Sequence, residues 1–508
     1  MSELDPIALR VMIGGLHAAC EEMGAALIRS AYSANIKERR DCSTAIFDPR
    51  GELVMQAEHI PVHLGSMPDA VAAVLGFEQE PDRSWILNDP FRGGTHLPDI
   101  TLISPVFVDH ELLGFAACRA HHADVGGPTP GSMPAGSTRI EEEGVRIEPI
   151  AADPETLREL ASRMRFPHQR LADLRAQAAA NRIGGLRLRE LCKRHGQGRL
   201  RTGMAEILSY AERRTRAALA ELPDGGYRAE DVLEDDADGV ACDIPLVVEA
   251  TIRGDGLVLD FTGTAPQVES NLNCPLSVTK SAAFFAVRAL TDPDAPPSAG
   301  AYRPIEVIAP PGCLLNAQPP AAVAAGNVET SSRVADLVIS ALAEATAAPA
   351  QGQGTMNNLT LAGEGFTYYE TLGGGQGACP KAGGPSAVHV TMSNTLNTPI
   401  EALETEFPLR VRELSLRRGS GGGGGQRGGD GLVREIEALV PTRFSLITER
   451  RRHAPRGRDG GADGAPGRNL RNGLELPGKA EGELSPGDTL RLETPGGGGL
   501  GSLRAIQK

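Results

Sequence analysis

The chain has 508 residues, 41% hydrophobic and 23% charged, the balance of a folded globular protein, and its length calls for roughly three domain-sized units. A net charge of −14 at pH 7 argues against nucleic acid or an anionic membrane surface as the main partner. The eight cysteines are scattered with no C-x-x-C pair and read as reduced thiols of a cytoplasmic protein, not a disulfide frame or a zinc knuckle.

Asp5-Pro6 opens the first helix, with Asp as N-cap and Pro in the first turn. Leu9, Met12, Ile13, Leu16, Cys20, Met23 and Leu27 keep helical spacing to about residue 30. The charged start is unlike a signal peptide, and apolar runs such as residues 70–75 are too short to span a bilayer, so no membrane is expected. A dense polar cluster, residues 35–43, precedes a strand over 44–47. The turn Asp48-Pro49-Arg50-Gly51 leads to a returning strand over 52–56. Glu38 and Asp41 stand at the strand entrance beside Arg39 and Arg40, where side chains often face a site. His59 and His63, in the loop that follows, read as structural.

Residues 88–127 hold the densest chemistry. Apolar runs over 101–108 and 112–118, joined by Asp109-His110-Glu111, predict a β-hairpin with polar, Gly/Pro-rich loops at its outer ends. Those ends carry His96, His121 and His122 with Asp89, Asp99 and Asp124, and the hairpin brings them together. His and Asp serve metal ligation and acid–base chemistry near neutral pH. Taken singly, each Asp reads as a turn residue.

Residues 155–222 read as a long helical stretch, broken at Pro167 and Gly184-Gly185, and serving as a spacer or partner-docking arm. Beyond residue 225 strands are expected over 246–252 and 257–261, then helices over 278–290 and 330–345, then strands separated by Gly-rich turns. The glycine clusters at 373–375, 421–425 and 496–499 do not follow the P-loop order. They read first as positive-φ turns, and second as places where the backbone approaches a ligand or partner closely. No ATP-binding signature is visible. The expected fold is α/β, with α+β as the alternative, built of mixed sheets. Its parts are an N-terminal α/β part over 1–152, a helical arm over 153–223, a second α/β part over 224–405 and a Gly-rich β part over 406–508.

Many segments in order carry a likeness: Asp5-Pro6-Ile7, residues 33–43, Pro61-Val62-His63-Leu64-Gly65-Ser66-Met67, residues 88–99 and 121–127, Ala325-Gly326-Asn327-Val328-Glu329, Gly354-Thr355-Met356-Asn357-Asn358, Asn394-Thr395-Leu396-Asn397-Thr398-Pro399 and Thr494-Pro495-Gly496-Gly497. On these the chain resembles, over nearly its whole length, the hydantoinase B/5-oxoprolinase family. These are the B-type subunits of ATP-dependent N-methylhydantoinases and 5-oxoprolinases, with relatives in acetone and acetophenone carboxylases. It departs in the uniform Gly421–Gly425 run and in Glu449-Arg450-Arg451, where Asp-Arg-Arg is common. The resemblance implies a separate A-type partner of actin-like ATPase fold, which binds the ATP and phosphorylates the carbonyl oxygen of a small cyclic amide. The B-type chain then hydrolyses or carboxylates the activated intermediate.

Such a site needs a nucleophile, a proton acceptor and a holder for the developing oxyanion. His121 and Asp124, set i and i+3 at a strand end, with Asp99 across the hairpin and Asp41 from the first polar loop, form a candidate ligand set. It would suit a divalent Zn, Mn or Fe ion; the same groups could equally do metal-free acid–base work. His121 and His122 point to opposite faces of an extended chain, so one could ligate while the other acts as acid or base. The candidate catalytic set is Asp41, first choice as base or nucleophile, with His122 and Asp99. Asn327, Asn357 and Asn358 are candidate amide donors toward the substrate. Three readings compete: a subunit of a hydrolase opening hydantoin, N-methylhydantoin or 5-oxoproline; a subunit of a biotin-independent ketone carboxylase; and a non-catalytic scaffold.

Overall fold

The computed structural model describes residues 4–236 and 241–502. Helix α1 (Pro6–Ser30) starts at Asp5, whose carboxylate accepts the Ala8 N–H at 2.9 Å. By length and composition α1 could cross a membrane. Its face of Leu16, Cys20, Met23 and Leu27 is nevertheless fully buried against the rest of the protein.

The first sheet holds β1 (Cys42–Phe47), β2 (Leu53–Glu58), β3 (Trp85–Leu87), β4 (Asp99–Val108), β5 (Glu111–His121) and β6 (Ile150–Ala151), in the order β2-β1-β5-β4-β3-β6. Every pairing in it is antiparallel. The strand period of two divides its side chains. Ile46 and Ala116 pack with Met23 and Leu188, while Ala45, Phe47, Phe115 and Ala117 pack with Met67, Val71 and Trp85. Both faces are covered, which is why β1 is buried throughout and reads as an unbroken apolar run.

The expected helical arm is folded onto this sheet. Helix α2 (Pro167–His195) lies along α1, β4 and β5, and α3 (Gln197–Ala220) follows it. Gly184-Gly185, expected as a break, lies within α2. A Cβ at Gly184 would stand 2.4 Å from Met23 Sδ and 2.9 Å from Ala116 Cβ, so the missing side chain lets the helix lie close to α1 and β5. The helix ends instead at Gly196, whose φ of +83° only glycine adopts without strain.

The second sheet runs β10-β9-β8-β7, from β7 (Gly225–Asp235), β8 (Cys242–Arg253), β9 (Gly256–Asp260) and β10 (Ile305–Ile308), with only the β10–β9 pair parallel. Helices α4 (Leu276–Thr291) and α5 (Ser331–Ala341) share one core with it. The stretch expected to begin a helix at residue 330 is entered through a π turn over Gly326–Thr330, a local winding found often at functional sites.

Two further antiparallel sheets follow. One pairs Phe366–Glu370, Asn358–Gly363, Thr442–Ile447 and Lys479–Leu484. The other pairs Leu409–Arg417, Gly431–Ala438, Thr489–Glu493, Arg468–Arg471 and Leu474–Leu476. The three glycine clusters do not make positive-φ turns, since none of their residues has a positive φ. They pack backbone on backbone. Gly497 N donates to Gly429 O at 2.9 Å, Gly429 N to Gln376 O at 2.9 Å and Gly422 N to Gly497 O at 2.8 Å. A Cβ at Gly497 would stand 2.1 Å from Gln376 O, and one at Gly375 2.1 Å from Gly429 O. Close approach is the reason for these glycines, but to other backbone of the same chain and not to a ligand or partner as the sequence suggests.

Candidate active site

The hairpin register puts Asp99, first residue of β4, directly opposite His121, last residue of β5. Cross-strand partners present their side chains on one face about 4.5–5.5 Å apart at Cβ. His96, three residues before β4, completes the group: one ligand atom from each of His96, Asp99 and His121 lies within 4.8 Å of the others, and all three are buried. Asp99 Oδ2 accepts from Thr95 Oγ1 at 2.6 Å and from Asn327 Nδ2 at 3.3 Å. His96 Nε2 lies 3.3 Å and His63 Nε2 3.6 Å from the same oxygen. Burial pushes the Asp99 carboxyl up, but the two imidazoles more than offset it and hold it well below the usual carboxylate range.

Asp41 faces the same cavity of about 20 Å³, together with Asp99, His121 and Asn327. Its loop is fastened to the end of β5: His121 N donates to Asp41 O at 3.0 Å, and Asn35 Nδ2 lies 3.1 Å from His121 Nδ1. Burial pushes the Asp41 carboxyl up to about 7, Arg39 pulling down and Asp99 adding to the rise. His121, stacked on Tyr369 at 4.8 Å and 3°, is held well below its ordinary value by burial and by the charge of His96. It is therefore neutral, the form that ligates metals.

These residues fit a divalent cation. The Nε2 atoms of His96 and His121 are buried without a hydrogen-bond partner, and such groups are ordinarily satisfied. The cavity has room for one ion or one water. Asp41, Asp99 and His121 line it, and a ligand atom of His96 stands within 4.8 Å of those of Asp99 and His121, an N/O set suited to first-row metals. His96, Asp99, His121 and Asp41 are the four that could hold it.

Several expected site residues lie elsewhere. Asp124 is not with the cluster. Its carboxylate accepts the N–H groups of Gly126 and Gly131 at 2.9 and 2.7 Å and lies 3.1 Å from Arg165 Nη1, so it closes a loop. Asp124→Ala is expected to cost about 2–3 kcal/mol in urea unfolding and to leave bound metal per chain unchanged. Asp89 likewise caps a short 3-10 turn through Phe91 N at 3.0 Å. His122 points away from the cavity to α2, where Nε2 meets Gln177 Oε1 at 2.9 Å. Burial pushes its imidazole down to about 4, against Asp173, so it is placed to orient α2 and not to act as acid or base. Asn357 is spent on Gln353, Leu372 and Arg451. Asn358 stands one layer out, between Glu329 and the Tyr369 hydroxyl. Of the three amides only Asn327 lines the cavity, with Oδ1 free of partners.

Sequence reasoning missed His63, read as structural, and the two supports Arg119 and Glu143. Arg119, fully buried, donates to Thr101 Oγ1 at 2.7 Å and Gly93 O at 2.8 Å and also binds Ser66 Oγ, tying the His63 and His96 loops to β4. Glu143 accepts from the Val323 and Ala324 N–H groups at 3.0 and 2.9 Å, just ahead of the π turn that carries Asn327. Burial pushes the Glu143 carboxyl up from 4.5 to about 7. Between those pH values the folded chain holds the proton and the unfolded chain does not, so this group's contribution to stability falls as pH rises through the window. Glu143→Gln should flatten that part of the unfolding free energy measured against pH.

A buried two-carboxylate, two-imidazole centre at a strand end marks the chain as a candidate metal-dependent enzyme. The hydantoinase B/oxoprolinase family profile matches residues 5–503, and the chain belongs to that family. It is 38% identical to 5-oxoprolinase 1 of Arabidopsis thaliana over 98% of its own length and 42% of that protein's, so it spans about two fifths of this relative. It is 32% identical to the B-type subunit of a putative D-/L-hydantoinase from a Pseudomonas species, over 99% of this chain and 91% of the relative. The crystal structure of the ATP-dependent caprolactamase of Pseudomonas jessenii superposes with a TM-score of 0.90 at 28% identity, covering 100% of this chain and 93% of that one. Both chains share the multi-domain α/β build described above.

Proposed function

We propose that this chain is the B-type subunit of an ATP-dependent cyclic-amide hydrolase, opening a ring such as 5-oxoproline or hydantoin after a separate, ATP-hydrolysing A-type subunit has phosphorylated the carbonyl oxygen. The observation that carries the reading is the buried group of His96, Asp99 and His121, with Asp41, Asp99 and His121 lining one small cavity and His121 Nε2 left without a hydrogen-bond partner. Relatives named for 5-oxoproline, hydantoin and caprolactam support the substrate class, since each ring contains an amide. The hydantoinase relative is named as one subunit of its enzyme, which supports the partner. The eight free cysteines fit a cytoplasmic location.

An amide resists attack because resonance feeds its carbonyl, and O-phosphorylation removes that protection. A cation held by His96, Asp99 and His121 would supply charge stabilisation at the reacting centre. Asp41, lining the cavity beside His121, is placed to take the proton of the attacking water. Asn327 Nδ2, within reach of Asp99, orients that carboxylate, and its free Oδ1 faces incoming polar hydrogen. The ring C–N bond then breaks with its electron pair and a proton passing to nitrogen, and a second water releases the phosphate.

The experiment is co-expression with the A-type chain, followed by assay with ATP, 5-oxoproline, hydantoin, N-methylhydantoin or acetone, with and without labelled bicarbonate. Ring opening that needs both chains and ATP, with no label fixed, is the expected result. Label fixed into a ketone with no ring opened would replace this reading with a carboxylase. Full activity of the A-type chain alone would leave this chain a scaffold.

A further inference from the structure

The cavity has further polar lining. Thr371 and Thr395 line it together with Asp99 and His121, their hydroxyl oxygens 2.7 Å apart. Behind them lies Arg39, fully buried. Its Nη2 donates to Thr371 Oγ1 at 2.7 Å and to Thr395 Oγ1 at 3.2 Å, and its Nη1 to Tyr369 O at 3.0 Å. Its guanidinium carbon sits 4.9 Å from the Tyr369 ring centre. Arg39 Nε has no partner, and among the described residues no carboxylate comes within ion-pair distance of this guanidinium. A buried cation is ordinarily paired, and an unpaired one is costly. Keeping one here makes sense where an anion arrives.

The hydroxyl protons can be counted. Each threonine oxygen already accepts from Arg39. The two hydroxyls hold two protons, and one is used in the bond between them. The other points to the cavity or to His389 Nε2, a long 3.4 Å from Thr395 Oγ1. His389 is itself held through Nδ1 by Ser393 Oγ. The pair therefore can give one hydrogen bond into the cavity and has little capacity to accept. The cavity is thus lined both by the carboxylates of Asp41 and Asp99 and by hydroxyls backed by a guanidinium.

We propose that Thr371 and Thr395, backed by Arg39, form an anion subsite that takes the phosphoryl oxygens of the O-phosphorylated substrate while its reacting carbon faces Asp41, Asp99 and His121. The proposal rests on the function proposed above. The present cavity, about 20 Å³, holds no more than a water or an ion. Entry of a phosphoryl group therefore requires the neighbouring segment 392–394, held by Ser393 Oγ on His389 Nδ1 and by Asn394 Nδ2 on His59 O at 2.7 Å, to shift while Thr395 stays on Thr371 and Arg39.

The test is calorimetric titration of the full chain, loaded with Mn²⁺, with inorganic phosphate. Thr371→Val/Thr395→Val keeps the shape and removes both hydroxyls, and it should weaken phosphate binding at least about tenfold with Mn²⁺ per chain unchanged. Thr371→Ser/Thr395→Ser, which keeps the hydroxyls, should bind like the wild type. If the double valine variant fails to fold, Thr395→Val alone is read the same way. Valine variants that bind phosphate like the wild type, or a wild type that binds none, would overturn the proposal. The titration needs neither ATP nor the partner. Threonine-dependent phosphate binding without any ring opening would count against the function alone; ring opening without that dependence would count against the subsite alone.

Discussion

Asp99→Asn is expected to abolish ring opening by the assembled enzyme, with kcat/KM falling on the order of 10³ or more, and to strip the chain of bound metal. The substitution is nearly isosteric, so the loss would be electrostatic. In the wild type one carboxylate oxygen collects Thr95, Asn327, His96 and His63. Asparagine lacks the charge, and its amide nitrogen turned toward these donors would meet only other hydrogens. Metal analysis and turnover on the same preparation check this. Chelation of the wild type should reproduce the turnover loss, and restoring the metal should reverse it in the wild type only. If Asp99→Asn kept both metal and turnover, the cluster would not be the reacting centre.

Gly497→Ala is expected to cost more than about 3 kcal/mol, at the severe end for overpacking. The added Cβ would stand 2.1 Å from Gln376 O and 2.3 Å from Gln376 C, both backbone atoms that cannot rotate away. The neighbouring chains are tied to Gly497 through its own N–H and C=O, so relief would break the glycine layer. Gly423→Ala is the matched control. It lies in the same family of clusters, has no positive φ, and a Cβ there meets nothing within 4 Å. It should change stability by no more than about 0.5 kcal/mol. Urea unfolding of the two variants side by side separates crowding from glycine content.

The hairpin and its pairing of Asp99 with His121 were legible because strand alternation and two polar, Gly/Pro-rich ends are local signals. The remaining candidate ligand, His96, was not. His96-x-x-Asp99 and His121-x-x-Asp124 have the same spacing, and spacing alone cannot say which loop turns back over the cavity. The structure decides it by hydrogen bonding: the 124–132 loop closes on the Asp124 carboxylate, while Arg119 pins the loop before β4 over the cavity. His63 was hidden for a related reason. Its partner Asp99 is far away in sequence, and nothing local marks the contact. The glycine clusters misled because glycine has two uses, and only the three-dimensional packing shows that these backbones touch. Asn357 and Asn358 looked alike in sequence, yet their carboxamides are consumed in the layer behind Tyr369.

The most direct measurement of the central claim is the coupling ratio, moles of ring opened per mole of ATP consumed, for the complex of this chain with its ATP-hydrolysing partner. The wild type should open rings only with ATP present. His121→Ala should let ATP be consumed while ring opening falls to background if, as proposed, activation belongs to the partner and hydrolysis to the site of His96, Asp99, His121 and Asp41. A His121→Ala complex that opened rings at the wild-type ratio and rate would contradict the account.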